Sequence, residues 1–445
     1  MGFTAARMKN NGYIILGGGI TGLAAGCVTG LPVFEAADLP GGVCSSYYIR
    51  PGDEECLSRQ PSGDEAYRFE KSGGHWIFGA DLQVQKFIRR LAHFKKYSRR
   101  SAVYFRKDNL YIPFPIQYHL RFLKDSIARK ALDEMGDIKK TEYGTMKKWL
   151  ETTFGKTLCR YFFFPFHKAY TAGMYPYVIP EDSFKTPMNG KLVLAGMRRR
   201  VIHKNYNAEF IYPDEGLGEA IHNMAERCHI NYRKRAVEID LRRKEILFAD
   251  GSKIRYKKLV STIPLAELLR ISHVRGADQL PFTSVLVMNI GARKGNKCPG
   301  SHWLYVPDSL NGFYRIGFYS NVNDSFLPQR SRRRGDRVVI YLEKAFRGGK
   351  KPGPDEMRDL CRKSVKELGS WGFIRETEVI SMNWIDYAYT WRYPGSSYPK
   401  EAIDLLAHHG IFSIGRYGKW KFQGIAESIK EGLGVQNLQS KAMRG

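Results

Sequence analysis

Three glycines are the first residues whose spacing suggests chemistry. Gly17, Gly19 and Gly22 fall in Gly17-Gly18-Gly19-Ile20-Thr21-Gly22 and satisfy G-x-G-x-x-G. The apolar run Tyr13-Ile-Ile-Leu16 precedes them, and the motif is expected to open a helix. In that setting the first glycine allows a tight turn. The second lets a pyrophosphate approach the backbone, and the third lets helix and strand pack closely. The helix start then offers free N–H groups and a partial positive charge to phosphate. Glu35 ends the next apolar run, Leu31–Phe34, where a carboxylate can accept hydrogen bonds from an adenosine ribose. The stretch between Gly22 and Glu35 is short, so the intervening helix is truncated. A second glycine pair, Gly41-Gly42, follows at once.

The rest of the chain must hold these residues in place. Its 445 residues are 43% hydrophobic, enough for a large core and against wholesale disorder. At roughly 100–200 residues per domain, two or three domains are expected. Lys and Arg number 71 against 44 Asp and Glu, a net charge of +27. Such a balance favours phosphorylated ligands, nucleic acid or an anionic membrane surface, and equally describes a solvated basic face. No nucleic-acid module accompanies it. The seven cysteines are scattered and form no C-x-x-C, which argues against a disulfide framework or a zinc site. No metal is expected, and a reducing, cytoplasmic setting is. Residues 1–12 read as a short polar leader, with Met8 as a second start and no secretory signal. No apolar run approaches the ~20 residues of a spanning helix.

The apolar periodicity predicts a strand at Tyr13–Leu16, a short helix, and a second strand at Leu31–Ala36. Residues 81–200 read as mostly helical. In 82–97, Phe87, Leu91 and Phe94 lie at helical spacing among Lys and Arg, as a solvated helix or one resting on a membrane surface would require. Glu245–Phe248 and Ile254–Tyr256 flank Asp250-Gly251, a hairpin signal. Residues 281–320 and 336–345 are strand-rich, 329–334 reads as a basic loop, and 355–368 as a helix. Ile411–Ile414 is the expected last strand, leading to a helix over about 423–433.

The continuation Ala36-Ala-Asp-Leu-Pro-Gly-Gly42 resembles the two-dinucleotide-binding flavoproteins, which bind FAD. Phe210-Ile-Tyr-Pro-Asp-Glu-Gly-Leu-Gly218, Val237–Ile239 and Leu259-Val-Ser-Thr-Ile-Pro264 are similar to the middle of flavin amine oxidases. Ser413-Ile-Gly-Arg-Tyr-Gly-Lys-Trp420 and Gln423-Gly-Ile-Ala-Glu-Ser428 resemble their end. The resemblance implies an α/β chain with a Rossmann-like FAD domain and an inserted, mixed α+β substrate lobe. The FAD domain would combine 12–80, 201–270 and 405–445. The lobe would have a helical part, 81–200, and a sheet-containing part, 271–404. Gly42, Gly74, Val237, Arg416, Ile425 and Ala426 would join Gly17, Gly19, Gly22 and Glu35 around the cofactor. The final helix would present its N-terminus to the flavin pyrimidine.

Within that group, Ser72-Gly-Gly-His-Trp-Ile-Phe78 resembles the flavin-side histidine loop of UDP-galactopyranose mutases. Leu110-Tyr-Ile-Pro-Phe-Pro-Ile-Gln117, Trp303-Leu-Tyr-Val-Pro and Gly312-Phe-Tyr-Arg315 are similar to the segments lining their nucleotide pocket. In that family the N5 of reduced flavin attacks the anomeric carbon of a nucleotide sugar and so exchanges pyranose and furanose forms. The resemblance implies His75 at the flavin, Arg315 on the substrate diphosphate, and Trp303 and Tyr305 as a flat aromatic surface. Gln117 would touch the base and Tyr389 the substrate. Each residue also has a plain structural reading: a satisfied histidine, core aromatics, an ion-paired arginine. NAD(P)H is compatible as an external reductant. Phe422 stands where the family has a phosphate-reaching hydroxyl, Ala426 where it has an asparagine, and Lys191 with Arg198–Arg200 where it has a tryptophan-rich helix. These departures keep an oxidase or desaturase of the amine oxidase or protoporphyrinogen oxidase kind open. A basic binding protein with a vestigial flavin site is a third reading. Peripheral membrane contact and oligomeric state stay open.

Overall fold

The computed structural model describes residues 12–442 except 64, 137–143, 182, 184, 185, 187, 200 and 202–207. Residues 1–11 of the expected leader and Arg200 therefore lie outside the described residues. A five-stranded parallel sheet forms the first layer. Its order is Ile411–Ser413, Lys258–Ser261, Tyr13–Leu16, Val33–Phe34, Ile230–Asn231. Ile14, Ile15 and Leu16 are all buried, as a central parallel strand covered on both faces requires. The helix Ile20–Thr29 follows and stops at Gly30, whose left-handed backbone donates to the Gly26 carbonyl. The second strand is only Val33–Phe34, shorter than expected: Pro32 has no N–H to extend it at the start, and at its end the Glu35 carboxylate turns back to Gly18 N and Ala37 N.

The second sheet has seven strands. Its order is Ile374–Thr390, Phe282–Lys294, Arg337–Arg347, Arg315–Phe318, Trp303–Tyr305, Ser101–Phe105, Leu110–Pro113. One face buries Met288, Ile316, Ile340 and Leu342 with Cys361 and Leu368 of the helix Pro354–Ser370. The other face carries Tyr341 and Val287 toward the helices between 125 and 196.

The expected helical stretch 81–200 is thus corrected in part. It holds helices at Leu82–Ile88, Asp125–Gly136, Met146–Leu158, Phe164–Tyr170 and Gly190–Gly196, but three strands as well. The helix expected over 82–97 ends at Ile88, and Phe94–Ser98 pairs antiparallel with Glu209–Pro213. Tertiary pairing wins there: Tyr97 stacks on Phe210 at 5.3 Å, and Lys95 and Lys96 meet Asp214 and Glu209. The basic run Gln329–Arg334 is a short helix rather than a loop, with Ser331 buried and a left-handed Gly335 closing it. The hairpin forms as Glu245–Phe248 with Lys253–Arg255. The last helix runs Ile425–Ala442, longer than expected. Among the described residues no helix is long and apolar enough to cross a membrane.

Candidate active site

The first glycine turn is as tight as its spacing demands. A Cβ on Gly22 would lie 1.9 Å from the Gly17 carbonyl oxygen. A Cβ on Gly19 would meet nothing within 4 Å, so the chain leaves open space there. Glu35 holds the turn, accepting from Gly18 N at 2.6 Å and Ala37 N at 2.8 Å. The second glycine pair closes on the first: Gly41 N donates to Gly18 O at 2.8 Å. Val237 lies on the three-stranded sheet and is 39% exposed.

The histidine loop is pinned to the large sheet. A Cβ on Gly74 would fall 2.1 Å from the Tyr341 hydroxyl, so only glycine lets the loop approach this strand. His75 Nδ1 lies 3.3 Å from the Gly73 carbonyl, which places a proton on Nδ1 and leaves Nε2 as an acceptor. Burial lowers the His75 pKa to about 4; the charges of Arg416 and Arg315 add to this, while the Gly73 bond opposes it. The ring is therefore neutral at pH 7 and shares its surroundings with both arginines.

Arg315 faces Tyr305 across one strand pair and Glu343 across the next. Its guanidinium pairs with Glu343, which also accepts from the Tyr314 hydroxyl at 2.6 Å. The Arg315 side chain is 21% exposed and its buried Nε has no partner. Arg416 differs. It donates to the backbone carbonyls of Gln423 at 3.1 Å and Ala388 at 2.9 Å, with Nε again unpartnered. Three rings surround it: Phe422 at 4.7 Å, Tyr389 at 5.2 Å and Tyr417 at 5.7 Å. Glu431 fixes the turn that carries it by accepting from Gly415 N, Lys419 Nζ and Gln423 Nε2. Ile425 and Ala426 start the last helix, both buried. Buried Cys44 is pushed up to about 12 by desolvation, helped by Glu70 and opposed by Arg416.

An aromatic path joins these groups. Tyr305 packs on Phe114 at 4.5 Å and on Phe166 at 5.3 Å, and Phe166 reaches Tyr314 at 6.1 Å. Tyr170 continues to Tyr389 at 4.7 Å. A π-helical turn, Cys159–Phe163, leads into the helix that carries Phe166 and Tyr170. Of the three tyrosines in that region, Tyr389 faces Arg416. Tyr387 packs on Phe282 instead, and Tyr393 is 43% exposed. Trp303 is buried one register step away, near Phe78 and Phe210, and Gln117 is fully buried. Lys168, which follows the aromatic run on the same helix, is exposed. Glu343 and Tyr341 escape sequence reading. Their signal is alternation: two polar groups on one face of an otherwise apolar strand, Arg337–Arg347.

Beside the path lies a cavity of about 1180 Å³. Arg89, Lys96, Arg99 and Arg100 line it together with Phe114. Arg99 sits 5.3 Å from the Phe114 ring centre, so this ring separates the cavity from Tyr305.

A parallel sheet carrying two locked glycine turns, joined to a second sheet with a cationic and aromatic face, defines a dinucleotide-binding enzyme. Residues 23–428 match the model for flavin containing amine oxidoreductases, and the chain belongs to that family. Among solved structures it is similar to a reduced UDP-galactopyranose mutase, at TM-score 0.83 and 22% identity over 97% of this chain and 94% of that one. It is also similar to a putative protoporphyrinogen oxidase from Exiguobacterium, at TM-score 0.70 and 13% identity over 98% and 100%. A third likeness is to a fatty acid isomerase from P. acnes, at TM-score 0.60 and 14% identity over 98% and 99%. The family implies a flavin, FAD, and the residues fit one. Open space at Gly19, the locked second turn and a half-buried arginine whose buried Nε has no partner among the described residues all suit a dinucleotide anion.

Proposed function

We propose that this flavin-dependent enzyme acts as a mutase on a nucleotide sugar, exchanging pyranose and furanose rings. The observation that carries this reading is the Tyr305–Arg315 pair on one sheet face. It sets a flat aromatic surface beside a guanidinium with a free N–H. Bound reduced flavin supplies an electron-rich nucleophile. The chain supplies the rest. Gly17, Gly19, Gly22, Glu35 and Gly42 hold the dinucleotide, with Val237 beside the adenine. Gly74 lets the His75 loop approach the flavin, and neutral His75 presents Nε2 as an acceptor. Arg416 and the N–H groups at Ile425 and Ala426 favour negative charge on the flavin. Arg315 binds the diphosphate and stabilises it as it leaves. Tyr305, Trp303 and Gln117 receive base and sugar, and Tyr389 closes the far side.

NAD(P)H is the proposed reductant, its phosphates served by the basic cavity at Arg89, Lys96, Arg99 and Arg100. A cytoplasmic setting is proposed, since seven free thiols persist best in a reducing compartment. The test is to reduce the purified protein with dithionite, incubate it anaerobically with a panel of nucleotide sugars, and chromatograph the products. A new ring isomer that depends on reduction is expected. No conversion with any sugar would overturn the reading.

One observation favours a second reading. Glu343 already neutralises Arg315, and Phe422 offers no hydroxyl beside Arg416. An oxidase or desaturase of the family would need no diphosphate clamp. Its mark is anaerobic bleaching of oxidised flavin by substrate alone, which a mutase does not show.

A further inference from the structure

Two thiols from distant parts of the chain meet behind the glycine turn. Cys27 lies on the helix Ile20–Thr29, and Cys228 follows the helix Leu217–Ala225. Their Sγ atoms are 3.5 Å apart. Each also sits 3.3 Å from a carbonyl of the opposite segment, Cys27 from Met224 and Cys228 from Leu23. A Cβ on Gly26 would lie 2.9 Å from Cys228 Sγ, so that glycine makes room for the sulfur. A disulfide needs S–S of about 2.05 Å, a small closure from this geometry. Both thiols are half-buried, so a small oxidant can reach them. Cys44, Cys159 and Cys361 are buried instead. The pair is also asymmetric. The hydrogen bond with Cys228 holds the Cys27 thiol below its usual pKa against the effect of burial, and Arg227 adds to it. Cys228 is raised by the same bond and by burial. The more acidic thiol is the better attacker, and the other is placed to resolve it.

We propose that Cys27 and Cys228 form a reversible dithiol–disulfide modification site that responds to hydrogen peroxide. Cys27 sulfur attacks one peroxide oxygen, the O–O bond breaks, and water leaves with the thiol proton. The Cys27 sulfenic acid so formed is attacked by Cys228 sulfur, the S–S bond forms, and a second water leaves. Two thiols are oxidised, one peroxide is reduced, and a dithiol reductant reverses the step. The bond ties the helix that carries the glycine turn to the segment that enters the sheet at Ile230–Asn231. It depends on neither functional reading.

The test uses the full-length protein, reduced, desalted and treated with hydrogen peroxide. Remaining thiols are capped with a maleimide and counted by intact mass, and peptides are mapped without reduction. Five capped cysteines in place of seven are expected, with a Cys27–Cys228 cross-linked peptide and seven again after dithiothreitol. Cys228→Ser should leave Cys27 as a sulfenic acid trapped by dimedone. Seven capped thiols after peroxide, a cross-link elsewhere, or sulfinic acid at Cys27 in the unmutated protein would each overturn the proposal.

Discussion

Tyr305 and Arg315 are directly opposed residues on neighbouring antiparallel strands. The row continues to Glu343 on the next strand. One register step away lies the row Trp303, Gly317, Tyr341. The ten-residue interval between Tyr305 and Arg315 is therefore a pairing register, with the chain reversing in between. Strand alternation puts these side chains on one face of the sheet. The same face that presents an aromatic and a cation also supplies the acid that holds the cation still.

This row makes Arg315 the informative substitution. Arg315→Met leaves Glu343 buried and unpaired, which should cost roughly 3 kcal/mol of stability. Glu343→Gln should recover most of it in the double variant. If Arg315 also clamps a diphosphate, turnover should stay about 10²–10³-fold low in that recovered double variant. Thermal melts and turnover, measured together, separate the roles. Full activity in the double variant would reduce Arg315 to an ion-pair partner.

Gly19 and Gly22 should fail differently. Gly22→Ala drives a Cβ into the Gly17 carbonyl, so the apoprotein itself should melt lower. Gly19→Ala meets no protein atom, so the apoprotein should melt like the parent while FAD affinity falls. Apoprotein melts and flavin titration give both numbers. Equal melts with equal FAD affinity for Gly19→Ala would remove the pyrophosphate from this turn.

These two glycines also show what was legible in the sequence. A tight turn imposes its demand on neighbouring residues, so Gly17–Gly22, the Asp250-Gly251 hairpin and the first strand could be read locally. Pairing across the chain could not. Phe94 sits at helical spacing with Phe87 and Leu91, yet it joins a strand because Glu209–Pro213 offers a ladder. Arg315 was legible through family resemblance, but its partner Glu343 was not, since only strand order brings them together. Arg416 was marked by its motif, whereas its lack of a carboxylate partner is a property of the folded site.

Two buried groups should give stability opposite pH slopes. His302 is buried, receives a hydrogen bond from Arg100 Nε at 3.1 Å, and has its pKa lowered to about 4 by burial and by the Arg100 charge. The unfolded histidine takes a proton below about 6.5, so His302 removes stability as pH falls from 6.5 toward 4. Glu70 is raised to about 7 by burial, against bonds from Tyr212 and Ser46. The unfolded acid releases its proton near 4.5, so Glu70 removes stability as pH rises from about 4.5 through 7. Melts across pH 4–8 should therefore favour His302→Asn increasingly at the acid end and Glu70→Gln at the alkaline end, each relative to the parent. Parallel curves for parent and variants would refute both shifts.

Arg416 carries the last prediction. Its charge is held by two carbonyls and three rings, with no carboxylate among the described residues to neutralise it. The residue is half-buried with its Nε enclosed, and an enclosed cationic group without a partner costs the fold unless something negative occupies the space beside it. The proposed occupant is the reduced flavin with its negative charge. Arg416→Met should then make FAD harder to reduce, lowering the two-electron midpoint by ~30 mV or more, equivalent to about 1.4 kcal/mol. Arg416→Lys should fall between, because it keeps the charge without the fork. A purely structural arginine predicts the reverse pattern: an unchanged potential in both variants and a lower melting point in the methionine variant alone. Redox titration of the three FAD-loaded proteins decides between a charge that serves the cofactor and one that merely ties two loops together.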